Sequence, residues 1–436
     1  MISTKPLNRP LRVLYLAGPG DAPGVLRRRA SGVDLGDTAH QSYSGQLFDA
    51  CDALGAEVLS VSWHPRDDDF RDRNIRAINR SNHLNDKSGL RYHLANAHFA
   101  MDVARDVWSQ DADVLLTSTE PHPFLLEPLI ARGLKVVTAI HATLLPVFRQ
   151  AGVGTRAAVQ LSRHFYEKSC FAILSHPGPC TTQIVELTKG KHRPIVEFLP
   201  LYQSDFASGI TPPPRRHAGD KLRIIQVGRL EANKGVFDLI EVARRAKREG
   251  RNDLHFDVCG TGAALEEARR KVQELGLGES FVLHGWTELD RLRELWSASH
   301  AAVVATTTGF VEGFNQVIVE ALLAGRPIVT SRVCPSLEFA RGAALEAAPN
   351  DPSSYFEQLV RLADDRALYE RLQSRCAARA SVFLDPTKSF RHGVEHVLGA
   401  IQEGREVESV WHPPMAEPTS HARSADPRRM PASPTL

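Results

Sequence analysis

Two carboxylates, two cations and one histidine carry the chemistry this sequence offers. Glu312 and Glu320 stand with seven residues between them in TTTGFVEGFNQVIVEALLAGRPIVTS (306–331). The residues around Glu320 are mostly apolar: Phe314, Val317, Ile318 and Val319 before it, Ala321, Leu322 and Leu323 after it. Glu320 therefore belongs to an otherwise buried helix, where an unpaired carboxylate is costly. At about 100° per residue, helical spacing puts both carboxylates on one side. Read alone, Glu320 serves equally to cap a loop or pair with an arginine. Arg229 and Lys234 lie in GRLEANKG (228–235), just after the apolar run LRIIQV. Arg binds a diphosphate bidentately and Lys supplies a point charge, so two cations beside a Gly-bearing turn suit that group. By themselves they read equally as solvated surface charges. His141 follows the run LKVVTAI, a place for a cleft residue as well as for a structural imidazole.

The elements that must position these groups are legible. AAVVA (301–305) reads as a buried parallel strand. Gly309 and Gly313 break the pattern into a loop, and NQVIVEALLAG then has helical spacing up to Gly325. IVTS (328–331) is the next strand. In open α/β sheets ligands bind outside the carboxyl ends of strands. A helix starting near Gly313 offers free amides to an anion.

Composition bounds the rest. The 436 residues suit two domains of about 200 residues each. A net charge of +2 with balanced acids and bases gives no bulk attraction to nucleic acid or membrane. The six cysteines show neither C-x-x-C nor metal spacing and read as reduced, buried residues of a cytoplasmic protein. The start, MISTKPLNRPLRVLYLAG, holds no secretory apolar region, and no run of about 18 apolar residues occurs.

Along the chain, LRVLYLA (11–17) is a first strand closed by Gly18-Pro19-Gly20, which is not G-x-G-x-x-G. Residues 21–41 read as a flexible polar loop, 43–55 as a helix with Ser44-Gly45 at its start, and 57–63 as a strand. Residues 65–88 read as a charged surface excursion whose Asp67-Asp68-Asp69 is solvated. Asp111-Ala112-Asp113 has D-x-D form but precedes strand VLLTS, at the end away from the cleft, so no metal ligands are assigned. FAILS (171–175) is another strand, with His176 after it. The Pro- and charge-rich stretch 208–221 is an interdomain linker. From about 411 the chain is Pro/Ser-rich without periodicity and reads as a disordered tail.

EGFNQVIVEALLAGRPIVTS and G-R-L-x-x-x-K-G resemble the E-x7-E signature and the diphosphate loop of retaining GT-B glycosyltransferases, family 4 type (glycosyl transferases group 1). The likeness is close over residues 222–352 and only topological over 11–205. It implies two Rossmann-like domains facing across a cleft: 1–207 on the acceptor side, 222–384 holding the donor, and 385–410 packing back on the first. It also implies transfer of a sugar from a nucleotide-diphosphate sugar to an acceptor hydroxyl with retention, by a metal-independent hexosyltransferase. Arg229, Lys234 and the helix dipole would meet the charge of the leaving diphosphate. Glu312 would hold the sugar hydroxyls, Glu320 the ribose, and His141 the sugar from the opposite wall. Gly313, Phe314 and Asn315 would border the donor, Gly45 would lie under its phosphates, and Gly285 and Trp286 would touch the base. His176 is a further candidate on the acceptor side. No cofactor is implied: the donor is a substrate, UDP-linked in preference to GDP-linked on the family's habits. The acceptor would be a glycan or lipid-linked hydroxyl, which brings in a peripheral membrane contact. The chain departs from the family at Ser44-Gly45, at Asn315-Gln316 and in FLPLYQSDF, which lacks the usual Pro-Asn-Gly. Two alternatives stay open, a nucleotide-sugar epimerase of the same fold and a catalytically silent nucleotide-sugar-binding protein.

Overall fold

Short apolar runs build two sheets in succession. The computed structural model describes residues 8–32, 41–81, 87–203, 206–217 and 219–414, with Pro6 and Leu84. The first sheet contains β1 (Arg12–Pro19), β2 (Glu57–Trp63), β3 (Asp69–Asp72), β4 (Ile75–Arg80), β5 (Val114–Thr117), β6 (Lys135–Ile140), β7 (Ala172–Ser175) and β8 (Ile195–Glu197). Their spatial order is β3-β4-β2-β1-β5-β6-β7-β8, parallel except for β3 against β4. The second sheet is parallel throughout: β9 (Leu222–Val227), β10 (Leu254–Cys259), β11 (Phe281–Gly285), β12 (Ala301–Val304), β13 (Ile328–Thr330) and β14 (Ala344–Glu346), in the order β11-β10-β9-β12-β13-β14. Strands such as β5, β7, β12 and β13 are buried at every residue, which is why they read as unbroken apolar runs. Each sheet reverses its winding beside its first strand, between β1 and β5 and between β9 and β12. Such a reversal opens a crevice at the carboxyl ends of the strands. This is the GT-B arrangement of two α/β domains.

Helices cover both faces of each sheet. In the first domain, helices Ala22–Ala30, Tyr43–Ala53 and Phe390–Glu403 share one core, and helix Gly89–Ser109 lies in the other. Residues 385–414 thus return to the first domain: Val410 forms a parallel bridge with Val196, beside β8. The linker is fixed to the second domain by Arg326, fully buried, whose guanidinium donates to the carbonyls of Thr211, Ser297 and Ser299. Burial lowers its pKa to about 10. All six cysteines are buried and free. Among the described residues no helix is long and apolar enough to cross a membrane.

Two expectations are corrected. Part of the 21–41 stretch is not a loop but the helix Ala22–Ala30. Asp21 caps it by accepting from the Gly24 N–H, and Pro23 sits in the first turn. Arg27 and Arg29 pair with Asp68, Asp49 and Asp52 from elsewhere in the chain. The expected flexibility of 33–40 concerns residues outside those described. The 65–88 excursion holds the hairpin β3–β4 instead: Ile75 and Ala77 are buried while Arg76 faces outward and pairs with Asp69. The alternation of β4 was masked by the charges on its outer face. Beyond residue 414 the expected disordered tail also lies outside the described residues.

Candidate active site

The crevice of the second domain opens where β9 and β12 separate, and four loop residues from the sequence reading meet there. After β9 the chain turns through Arg229 to Lys234, and Gly235 follows with φ +82°. A β-carbon on Gly235 would stand 2.0 Å from the Ala305 carbonyl oxygen at the end of β12, so only glycine lets the two strand ends approach. That approach brings Lys234 Nζ to 2.7 Å from Glu312 Oε2, with the side chains 17% and 10% exposed. Lys234 Nζ also lies 3.6 Å from the centre of the Phe310 ring, a cation–π contact. Arg229 points further out, bonded to Glu231 at 2.8 Å. Asn315 Nδ2 donates to the same Glu312 oxygen at 3.3 Å. Arg229, Lys234, Glu312 and Asn315 line a cavity of about 190 Å³.

The helix expected from Gly313 begins later, at Gln316, and runs to Leu323. Its start is set by Ser336, whose hydroxyl accepts from the Asn315 N–H and donates to the Asn315 carbonyl. Glu312 is therefore a loop residue, and helical spacing does not relate it to Glu320. No side chain caps this helix, and its first residues, Gln316 and Val317, are in the cavity wall. Its leading N–H groups are thus open to an anion. Glu320 lies beyond the wall. Its Oε2 is buried without a hydrogen-bond partner among the described residues, and burial raises its pKa to about 7.

The first domain meets the Glu312 loop from the other side of the domain boundary. Gly313 approaches it so closely that a β-carbon would stand 1.9 Å from the His141 carbonyl oxygen. The His141 ring packs 4.5 Å from that of Tyr43, its Nδ1 buried without a hydrogen-bond partner among the described residues. Burial lowers its pKa to about 4, so the ring is neutral at physiological pH. His176 has both nitrogens engaged, Nε2 with the Tyr43 hydroxyl at 3.0 Å and Nδ1 with the Phe198 carbonyl at 3.2 Å. Its ring stacks on Phe314 across the domain boundary, 5.1 Å between centres. Phe314 is thus both an edge of the cavity and an interdomain contact.

The remaining candidates stand apart from this cavity. The Gly45 N–H donates to the capping Ser42 hydroxyl. Gly285 ends β11, its carbonyl accepting from the Gly260 N–H at 2.7 Å, and the exposed Trp286 indole donates to Glu288. Sequence reasoning passed over Phe310, Tyr43 and Gln226. Gln226 carried a signal: a lone amide inside the buried run LRIIQV. Its side chain is buried in the cavity wall, with Oε1 unpartnered among the described residues. The two D-x-D aspartates are held by arginines, Asp113 by Arg9 and Asp111 by Arg12.

With this geometry in view, residues 211–379 match the family model described as Glycosyl transferases group 1. The chain is 25% identical over 160 residues to the O-antigen chain mannosyltransferase B of Escherichia coli, a span of 36% of this chain and 41% of the relative. It is 27% identical over 144 residues to the phosphatidylinositol N-acetylglucosaminyltransferase GPI3 subunit of Saccharomyces cerevisiae, 33% of this chain and 29% of that one. The matched segments thus span less than half the length of these relatives. An E. coli trehalose-6-phosphate structure bound with UDP-2-fluoro glucose has the same fold, with a TM-score of 0.65 and 14% identity over 90% of this chain and 99% of that one. The segment 211–379 thus matches the Glycosyl transferases group 1 model within a chain of GT-B fold.

Proposed function

We propose that this protein transfers a sugar from a nucleotide-diphosphate donor to an acceptor hydroxyl, with retention and without a divalent metal. The carrying observation is the Lys234–Glu312 pair at the mouth of the β9–β12 crevice, in a cavity also lined by Arg229 and Asn315. When the diphosphate enters, Lys234 turns from Glu312 to the phosphates, and Arg229 joins it from its exposed position. The uncapped helix at Gln316 adds its amides. Glu312, relieved of its lysine, accepts from the sugar hydroxyls. The neutral His141 borders the sugar from the first domain, and Glu320 meets the ribose. The acceptor hydroxyl attacks the anomeric carbon on the face the diphosphate leaves and gives its proton to the departing phosphate oxygen. Closed domains keep water from competing for the sugar. UDP-sugars are favoured as donors, as in the neighbour that binds UDP-2-fluoro glucose. The acceptor is a hydroxyl on a glycan or a lipid, with the protein cytoplasmic and peripheral to the membrane.

A panel of UDP- and GDP-sugars tested by thermal shift on the parent, Lys234→Ala and Glu320→Ala checks this reading. A donor at a hundredfold excess over its dissociation constant stabilises the parent by about 2.7 kcal/mol. The proposal requires one nucleotide class to shift the parent and to shift both variants less. It also requires slow donor hydrolysis that persists in EDTA. Binding without turnover would move the protein to the silent alternative, and no shift at all would remove the donor site.

A further inference from the structure

The apolar surface of the first domain is unevenly spread. Of the eleven large apolar side chains exposed among the described residues, seven lie on helix Gly89–Ser109 and on the segment 147–161. On the helix these are Leu90, Leu94, Met101 and Trp108, each more than half exposed. At about 100° per residue they fall within about 40° of one azimuth. The buried residues Asn96, Phe99, Val103 and Val107 lie on the opposite side. The helix is therefore apolar on two opposite faces, one in the core and one left exposed by the described residues, a pattern that a surface helix does not need. Val147, Val153 and Leu161 add to the outward face, and the two segments touch where a β-carbon on Gly154 would stand 2.6 Å from His93 Nε2.

Charge on this face is equally one-sided. No Asp or Glu occurs between Glu127 and Glu167, while Arg132, Lys135, Arg149, Arg156 and Arg163 do. None occurs between Asp86 and Asp102 either, where Lys87 and Arg91 stand. Lys87, Arg91, Arg149 and Arg156 are exposed and pair with no acid among the described residues. The two acids that helix Gly89–Ser109 carries, Asp102 and Asp106, are held by Arg105 and Arg80. A chain of net charge +2 thus concentrates unpaired cations around its exposed apolar residues. An apolar strip flanked by Lys and Arg fits the headgroup region of an anionic bilayer, apolar side chains inserted and cations on phosphates. Both segments start at the carboxyl edge of the first sheet, on the cleft side: the helix runs from that edge back towards β5, and 144–163 follows His141.

We propose that this face of the first domain rests on an anionic membrane surface, so that the acceptor hydroxyl reaching the cleft is carried on a lipid. The acceptor clause rests on the transferase reading; the surface does not. The test is co-sedimentation of the full chain with vesicles of phosphatidylcholine alone and of phosphatidylcholine mixed equally with phosphatidylglycerol. UDP binding is followed on the same samples. The parent should pellet with the mixed vesicles, about tenfold less with the neutral ones, and less as salt rises. R149E/R156E and L94E/V153E should each cut pelleting about tenfold or more while leaving the melting temperature and UDP affinity unchanged. Vesicle binding in a chain that takes no nucleotide would support the surface and sink the transferase reading. A parent that stays in solution with both vesicles at low salt, or variants that pellet like the parent, would overturn the proposal. So would a self-association, seen by sedimentation equilibrium, that L94E/V153E abolishes in a chain without vesicle affinity, because the face would then belong to a second copy.

Discussion

Gly313 and His141 meet backbone to backbone across the domain boundary, with no room for a β-carbon between them. The contact joins the loop that bears Glu312 to the loop that follows β6. It makes glycine at 313 a condition for the two domains to close.

Gly313→Ala should therefore hold the cleft ajar. Overpacking in a fixed core costs about 1–3 kcal/mol, but this contact can be relieved by domain opening. The melting temperature should fall little, while donor affinity drops about tenfold and the radius of gyration by small-angle scattering rises. A variant with unchanged scattering and a large loss of stability would mean that the domains are not free to part.

If the diphosphate draws Lys234 from Glu312 as proposed, the two halves of the donor compete for one another's ligands. Lys234→Ala should weaken nucleoside diphosphate binding by about 1.5–3 kcal/mol, the range of a charge-assisted hydrogen bond. Glu312→Gln should leave diphosphate binding as tight or tighter, because it releases the lysine, yet cut transfer at least a hundredfold. Calorimetry with UDP alongside single-turnover rates separates the two. Equal losses of UDP affinity in both variants would contradict the exchange.

Glu320 supplies a stability signature. Its pKa in the fold, about 7, exceeds its ordinary value of 4.5. Between these values the folded chain holds a proton that the unfolded chain has released, so stability falls as pH rises through this window. The accumulated cost above pH 7 is about 3 kcal/mol at 1.36 kcal/mol per pH unit. Glu320→Gln should thus be more stable than the parent at pH 8, by up to that amount, with the gain fading towards pH 4.5. Denaturant titrations across this range check it. The same variant should bind donor more weakly, a trade of function against stability.

His141 is held neutral, with its pKa lowered to about 4 by burial. Its titration should leave no inflection near 6.5 in a pH–rate profile of kcat/KM. His141→Asn should lower the rate by the same factor at every pH from 5.5 to 8.5, and a pH-dependent ratio would show a charged imidazole in the reaction.

The donor side was legible because its chemistry is local. Arg229 and Lys234 share one loop, Glu312 sits in another, and each loop follows an apolar strand that announces itself. The contacts that complete the site are not local. Nothing adjacent in sequence says that Phe310 will lie against Lys234, or that His176 will stack on Phe314. Helix Ala22–Ala30 was hidden for the same reason, since its arginines find their acids at positions 49, 52 and 68. The hairpin β3–β4 was hidden by charges on its outer face. Helical geometry, extended from Glu320 back to Glu312, failed because Ser336 starts the helix at Gln316.

The helix Phe390–Glu403 supplies Phe390, Val394, Val397, Leu398 and Ile401, and the segment after it Val407, to a core otherwise made by the first 200 residues. Order of synthesis then matters. While the ribosome is still making the second domain, part of one face of the first sheet waits without its cover, at Leu174, Val196 and Phe198. The second domain needs no such late arrival and can settle first, contrary to the usual amino-to-carboxyl order. The last helix closes the first domain only when almost the whole chain has emerged, so a chain cut short before Phe390 would carry a finished second domain beside an unfinished first.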